Sequence, residues 1–299
     1  MIPWKMSFGG MLMRIDMHTH TFPDSVAPRA LRNMQAESHA ALFADGTTAG
    51  LHASGKRARL DLSVVLPVAT SPRQVSSIND HVISQQKQAR ALNILSFGAA
   101  HPDDANWRQE LDRIAAAGVR GIKLHPAYQN VDMDDPRYLR ILERAGELQL
   151  VVVTHAGLDI GLPGSTHALP KKIRHALQLV GPVSLVCAHM GGWACWESVC
   201  DLLSDTSVYL DTAFSLGNIY PAEDGFPWQK DSLKMLDSES FCNLVHVFGA
   251  DHILFGSDSP WTDPRKEIEF IEALPLPESE RNDILGNNAA KLLGLNPPA

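Results

Sequence analysis

The chain has 299 residues, 44% hydrophobic and 20% charged, which is enough to bury a large core. Its formal charge of −8 is scattered, with no basic stripe, which argues against a nucleic-acid partner, and no stretch approaches the length of a membrane span. Four cysteines, Cys187, Cys195, Cys200 and Cys242, form no Cys-x-x-Cys pair, so a reduced, cytoplasmic protein is expected.

Residues 1–11 read as an N-terminal extension without the apolar run of a signal peptide, and residues 12–299 as one domain. Leu12 to His20 is strand-like. The stretch from Phe22 to Lys56 is a longer excursion with helical text after Pro23 and Pro28. Leu62 to Val68 is a continuous apolar run, as suits a strand buried on both faces. Val75, Ile78 and Val82 then recur at helical spacing.

Ile94 to Ala100 is the next expected strand. Asp103 and Asp104 are expected to cap a helix carrying Trp107, Leu111, Ile114 and Ala115 on one face, with Gly118 as its stop. Val119 to His125 is a strand, and Asp135-Pro136 opens a helix whose inner face is Tyr138, Ile141, Leu142 and Ala145. Leu150 to His155 and Val183 to His189 are strands flanking a helix from Pro170 with Ile173, Leu177 and Val180 inward. Trp196 to Leu203 is helical and Val208 to Asp211 is a short strand. An irregular insertion from Tyr220 to Ser240 leads to a helix over Phe241 to Phe248. A last strand, Ile253 to Phe255, precedes helical text from Arg265 to Leu293.

Eight apolar strands, mostly one per helix, call for parallel strands covered by helices. The expected fold is an α/β (β/α)8 barrel in a single domain, with an open doubly wound sheet as the alternative. No Gly-x-Gly-x-x-Gly follows the first strand, so a dinucleotide site has no support.

Polar residues of ligand type fall where these strands end. His18 and His20, one residue apart on a strand, share a face. His101, Lys123, His125, His155, His189, Asp211 and Asp258 end or follow later strands. In such a barrel the strand C-termini form one mouth. Several imidazoles and a carboxylate aimed there point to a divalent metal ion. A single histidine of this kind is more often a satisfied core residue, and Asp258 by itself reads as a cap in a Ser-Asp-Ser-Pro turn.

The ordered set His18-Thr19-His20, Gly121-Ile122-Lys123-Leu124-His125-Pro126, Thr154-His155-Ala156-Gly157, Ala188-His189-Met190-Gly191-Gly192 and Gly256-Ser257-Asp258-Ser259-Pro260-Trp261 resembles the amidohydrolase superfamily. The closer likeness is to its amidohydrolase-related branch, which includes the amino-carboxymuconate-semialdehyde decarboxylase type, and Gly286 to Leu293 is similar to that branch too. The resemblance implies His18, His20, His155 and Asp258 as metal ligands, and His189 as a catalytic residue or a ligand of a second ion. Such an ion lowers the pKa of a bound water toward 7, and Asp258 is placed to shuttle its proton. The expected cofactor is one divalent ion, zinc first, with manganese or iron suiting the same ligands.

Lys123 and His125 share a strand face and are expected to bind substrate. Lys123 either meets a substrate carboxylate as an ammonium, or is carbamylated and bridges a second metal. Its plain alternative is pairing with Asp16 or Asp211. The expected partner is a small, carboxylated molecule, and a homo-oligomer is compatible with the sequence. The expected activity is metal-dependent hydrolysis of a C–N, lactone or ester bond. A non-oxidative decarboxylase on the same site is the alternative, and a non-catalytic metal- or ligand-binding barrel is the third reading. Trp193, Trp228 and Trp261 lie in or near loops overhanging the mouth, where packing is their commoner role. Lys171 and Arg174 read as a solvated helix face.

Overall fold

The continuous apolar runs form short strands and the residues between them form helices, in a computed structural model that describes residues 13–222 and 235–295. The expected extension over residues 1–11, Trp228 and much of the insertion from Tyr220 to Ser240 lie outside the described residues. The chain divides into two compact units, one formed by residues up to Val64 together with those from Asp211 onward, the other by Val65–Leu210.

In the first unit, β1 (Ile15–Thr19) is buried at every position. β2 (Leu62–Val65) neighbours it, and the Thr19 hydroxyl donates to the Val64 carbonyl at 2.8 Å. On its other side β1 meets the chain that follows β9 (Ile253–Leu254): Met17 N donates to Phe255 O at 2.8 Å, Asp258 N to His18 O at 2.8 Å and His20 N to Ser259 O at 2.7 Å. Between β1 and β2 lie α1 (Ala27–Ser38) and α2 (Thr48–Arg57), the latter capped by the Thr47 hydroxyl. After β8 (Tyr209–Asp211) come α9 (Ser238–Phe248), α10 (Pro264–Glu272), α11 (Glu278–Asn282), a π turn at Asp283–Asn287 and α12 (Asn288–Leu292).

The C-terminal Gly-Asn-Asn motif has a structural reason. A Cβ on Gly286 would stand 1.9 Å from the Met13 carbonyl oxygen, so only glycine admits that approach. Asn288 donates through Nδ2 to the Ala250 and Ile253 carbonyls at 2.8 and 2.9 Å and so holds the entry to β9.

In the second unit, β4 (Gly98–Ala99), β5 (Gly121–Leu124), β6 (Val151–Thr154), β7 (Leu185–Cys187) and β8 lie side by side in chain order, all parallel. The helices α3 (Val75–Ala91), α4 (Trp107–Ala116), α6 (Pro136–Glu147), α7 (Pro170–Leu179) and α8 (Trp196–Leu203) alternate with them. The inner face of α6 is Tyr138, Ile141, Leu142 and Ala145, and the Asp135 carboxylate caps it at Arg137 N, as the sequence indicates.

Three local expectations change. The strand expected over Ile94 to Ala100 is interrupted at Phe97, giving β3 (Ile94–Ser96) and β4. Phe97 is fully buried, and a Cβ on Gly121 would stand 2.4 Å from its ring, so β5 needs glycine there. Asp104 does not cap α4; its carboxylate accepts from Asn106 N at 2.9 Å in the turn before the helix. Val180 lies beyond the end of α7 and is only half-buried.

Candidate metal centre

Residue alternation in β1 turns His18 and His20 the same way, as the sequence predicts, and their Nε2 atoms stand 3.2 Å apart. The Asp258 Oδ1 atom is 3.1 Å from His20 Nε2 and 3.6 Å from His18 Nε2. All three side chains are largely buried. Asp258 reaches this point from a left-handed backbone, φ +61°, a conformation that Asp tolerates better than most residues. It is not a helix cap: Asp263 caps α10.

His18 Nδ1 lies 2.9 Å from Asp211 Oδ2. The ring therefore donates Nδ1–H to a buried carboxylate and presents its Nε2 lone pair to His20 and Asp258. Metal-binding histidines commonly have this outer partner, which fixes the tautomer and raises ligand basicity.

Ligands held about 2.0–2.2 Å from a zinc-like ion stand roughly 3–3.5 Å from one another. Two of the separations, 3.1 and 3.2 Å, fall within that spacing and the third, 3.6 Å, lies just beyond it, so a shared cation could replace the contact between the two imidazole nitrogens. Two neutral imidazoles and one carboxylate suit a divalent ion and partly neutralise it.

Asp16 was expected from sequence only as a partner for Lys123. It anchors this centre. Its carboxylate accepts from Ser257 Oγ at 2.6 Å, Ser257 N at 2.9 Å and His18 N at 3.2 Å, clasping the Gly256-Ser257-Asp258 segment to β1. Burial pushes the Asp16 carboxyl up to about 7, against the lowering effect of those bonds. Gly256 is required by proximity, since a Cβ there would stand 2.9 Å from the His18 Cβ.

The second unit gathers its own ligand-type residues. His155 ends β6 and His189 follows β7, and His155 Nδ1 lies 3.1 Å from His189 Nε2. His155 Nε2 donates to the Leu158 carbonyl at 3.0 Å, which leaves the lone pair on Nδ1, facing His189. His189, Met190 and Gly191 are all left-handed, with φ of +60°, +52° and +82°. The indole of Trp196 donates to the His189 carbonyl at 3.0 Å and braces that turn. Two consecutive non-glycine residues in this region mark a strained turn, commonest at functional sites.

His125 is the N-cap of α5 (Pro126–Gln129) and accepts the Tyr128 N–H at Nδ1, 3.3 Å. Its ring stacks on His155 at 4.4 Å with 12° between planes, and its Nε2 is 3.6 Å from Asp159 Oδ2. The same oxygen is 3.7 Å from His155 Nε2. His125, His155 and Asp159 have the spacing of a cation site, but their chemistry does not suit one. With Nδ1 of His125 engaged by an amide N–H, its neutral ring carries the proton on Nε2, and His155 Nε2 is also a donor. Two N–H groups therefore face one carboxylate, which is not a ligand set.

Lys123 is buried within β5, in register with Val153 of β6. Arg174 pairs with Asp205, which supports the solvated-face reading of that helix. His101 is buried and accepts from Asp103 N at 3.1 Å, and burial lowers its pKa, so it is a turn residue.

Each set is thus assembled within its own unit: His18, His20 and Asp258 with Asp16 and Asp211 in the first, and His125, His155 and His189 with Asp159 in the second. Reasoning from sequence missed Asp159, whose only signal is its position four residues after His155 in the loop following a strand. Among the described residues, no helix is long and apolar enough to cross a membrane.

Comparison with known proteins fits these features. Over 242 residues the chain is 25% identical to 2-amino-3-carboxymuconate-6-semialdehyde decarboxylase of Dictyostelium discoideum, covering 74% of this chain and 66% of that protein. Over 222 residues it is 27% identical to the 3'-5' ssDNA/RNA exonuclease TatD of Cronobacter sakazakii, covering 68% and 78%. Among solved structures, an uncharacterized TIM-barrel protein of Bordetella bronchiseptica superposes with a TM-score of 0.72 at 17% identity, covering 95% of this chain and 99% of that one. A dihydroxybenzoic acid decarboxylase of Polaromonas sp. JS666, with bound manganese and the inhibitor 2-nitroresorcinol, gives 0.66 at 16% identity over 96% and 98%. A Pseudomonas putida protein assigned as a 2-pyrone-4,6-dicarboxylic acid hydrolase gives 0.64 at 19% identity over 96% and 99%. The fold is the TIM barrel, α/β with parallel strands, as the strand count predicts. A family model described as amidohydrolase matches residues 15–295, and the chain belongs to that family.

Proposed function

We propose that the protein is a metal-dependent, non-oxidative decarboxylase of a small aromatic or unsaturated carboxylate. The observation that carries this reading is the buried His18–His20–Asp258 triad, with its ligand atoms gathered at one point, in an amidohydrolase-family chain. Decarboxylases of aromatic carboxylates recur among the structural neighbours, and the amino-carboxymuconate-semialdehyde enzyme is a curated relative. This reverses the order of the two readings drawn from sequence, in which hydrolysis came first.

His18, His20 and Asp258 would hold the ion, and a bound divalent ion supplies Lewis-acid charge for gripping substrate oxygens. Zinc suits these ligands, and so does manganese, the ion bound in the Polaromonas structure. In the reaction the carbon–carboxylate bond breaks, its electron pair stays on carbon and takes up a proton, and carbon dioxide leaves. Asp258 and His189 are the groups proposed to handle that proton. Lys123 and His125, both buried, are the residues proposed to bind the substrate.

The test is carbon dioxide release from a panel of aromatic and unsaturated carboxylates by protein loaded with zinc or manganese. Release matched mole for mole by loss of the carboxylate, and abolished by a chelator, is expected. Hydrolysis of a lactone or amide with no carbon dioxide would overturn the proposal in favour of the hydrolase reading, which the Pseudomonas putida neighbour supports. The exonuclease relative raises phosphodiester cleavage, but a net charge of −8 without a basic stripe does not favour a polyanionic substrate.

A further inference from the structure

Gln129 is the last residue of α5, the single turn that follows β5, and it is 4% exposed. A carboxamide offers two N–H donors and one oxygen with two lone pairs. In Gln129 all four are used. Nε2 donates to the Ala69 carbonyl at 2.8 Å and to the Ala100 carbonyl at 2.7 Å. Oε1 accepts from His125 N at 3.3 Å and from the Tyr138 hydroxyl. These partners fix which way the amide faces, because a carbonyl can only accept and a peptide N–H can only donate.

Ala69 lies between β2 and α3, within the second unit, Ala100 follows β4 and His125 follows β5. The Gln129 backbone adds a further bond, its N–H donating to the His125 carbonyl at 3.0 Å. Both the N–H and the carbonyl of His125 are thus held by one residue. That residue is tied in turn to two other segments of the unit and, through Tyr138, to α6. The hold keeps His125 at φ −139° and ψ +80°. From that backbone its Nδ1 reaches the Tyr128 N–H and its ring stacks on His155. A buried polar network with every member satisfied specifies one arrangement, and removing its centre leaves several buried groups unpaired at once.

We propose that Gln129 is a positioning residue, which sets the imidazole of His125 for substrate by holding its backbone on both sides. The link to substrate rests on the substrate-binding role proposed for His125 above, whereas the hold on the ring rests on these bonds alone.

The experiment uses the full chain loaded with zinc. In the unaltered protein the two side-chain N–H protons of Gln129 should exchange with heavy water as slowly as the β5 amides, followed by NMR. Exchange at the rate of a free glutamine would overturn the proposal, whether or not any variant folds. In Gln129→Met, which keeps the length and removes the hydrogen bonds, the His125 ring resonances should shift and broaden. They are identified by their loss in His125→Phe, and unchanged resonances would also overturn it. Kinetics use whichever carboxylate of the panel above releases carbon dioxide fastest. Gln129→Met should raise KM about 10-fold with kcat within about 3-fold, the mark of lost binding rather than lost chemistry. In a His125→Phe background the same change should move KM by about 2-fold or less, because the group through which Gln129 acts is gone. Effects that simply add in the double variant would show a general structural role and sink the proposal. Absence of carbon dioxide release from every member of the panel counts against the decarboxylase reading, and the exchange and ring resonances then decide the role of Gln129 by themselves.

Discussion

Asp211 Oδ2 stands 2.9 Å from His18 Nδ1, and neither side chain reaches solvent. A carboxylate in this place holds the proton on Nδ1 and strengthens Nε2 as a ligand. Asp211→Asn keeps the shape but removes the charge, so affinity for zinc should fall about 10- to 100-fold, measured by competition with a chromophoric chelator. Unchanged affinity would show that this contact has no bearing on metal binding.

The ligand set can be tested by metal content. His18→Ala, His20→Ala and Asp258→Ala should each reduce the bound ion from about one per chain to a small residue after dialysis, read by elemental analysis. His155→Ala belongs in the same series, because the sequence resemblance adds His155 to the set. Retention of the ion in that variant would remove His155 from it.

Turnover addresses the proton-handling roles. Asp258→Asn and His189→Asn should each lower kcat by about 100-fold or more, the usual worth of a positioned acid or base. Asparagine is a fair replacement at both sites because it also tolerates a left-handed backbone. If neither change exceeds a few-fold, the roles proposed for these residues are wrong.

Gly157 has φ +87°, and a Cβ there would stand 2.2 Å from Trp193 N. The same stretch carries the Trp193 N to Ala156 O bond at 2.9 Å and the Leu158 N to Trp193 O bond at 3.0 Å. Gly157→Ala should cost about 2 kcal/mol or more, seen as a lower midpoint in urea. It should also disturb His155, whose Nε2 is held by the Leu158 carbonyl. An unshifted midpoint would mean that the loop relaxes freely.

Glu267 on α10 is buried, and its Oε2 has no hydrogen-bond partner among the described residues. Burial, reinforced by the nearby Asp16, Asp263 and Asp258 and opposed by Lys266, pushes its carboxyl from 4.5 up to about 8. The native state therefore keeps a proton that the unfolded chain releases. This group's contribution to stability is full below about 4.5 and is lost as pH rises toward about 8. Glu267→Gln should flatten that part of the stability profile and leave the variant more stable than the parent at pH 8. A parallel pair of denaturation curves across this range would refute the shift.

Much of the fold was legible because its signals are local. The runs Leu62 to Val65 and Val151 to Thr154 need no partner to read as buried strands, and Asp135-Pro136 announces α6 from its own sequence. The pairing of His18 with His20 is equally local, since it follows from strand alternation. The groups that hold these residues were not legible. Asp211 lies 193 positions from His18 and Ser257 lies 241 from Asp16, and no short-range pattern links such pairs. The interruption at Phe97 was hidden for a similar reason, as it depends on the absence of a side chain at Gly121 in another strand. Asp104 was misjudged because an acidic residue before a helix can close a turn as readily as cap the helix.

The clasp between Asp16 and Ser257 joins segments 241 positions apart, so one is made long before the other. A nascent polypeptide that has already emerged with His18 and His20 still lacks the carboxylate of Asp258 and the serine that steadies it. On the proposed ligand set, capture of the ion should therefore wait until residue 258 has been made. Fragments ending earlier should take up zinc no better than a pair of solvent-exposed histidines does.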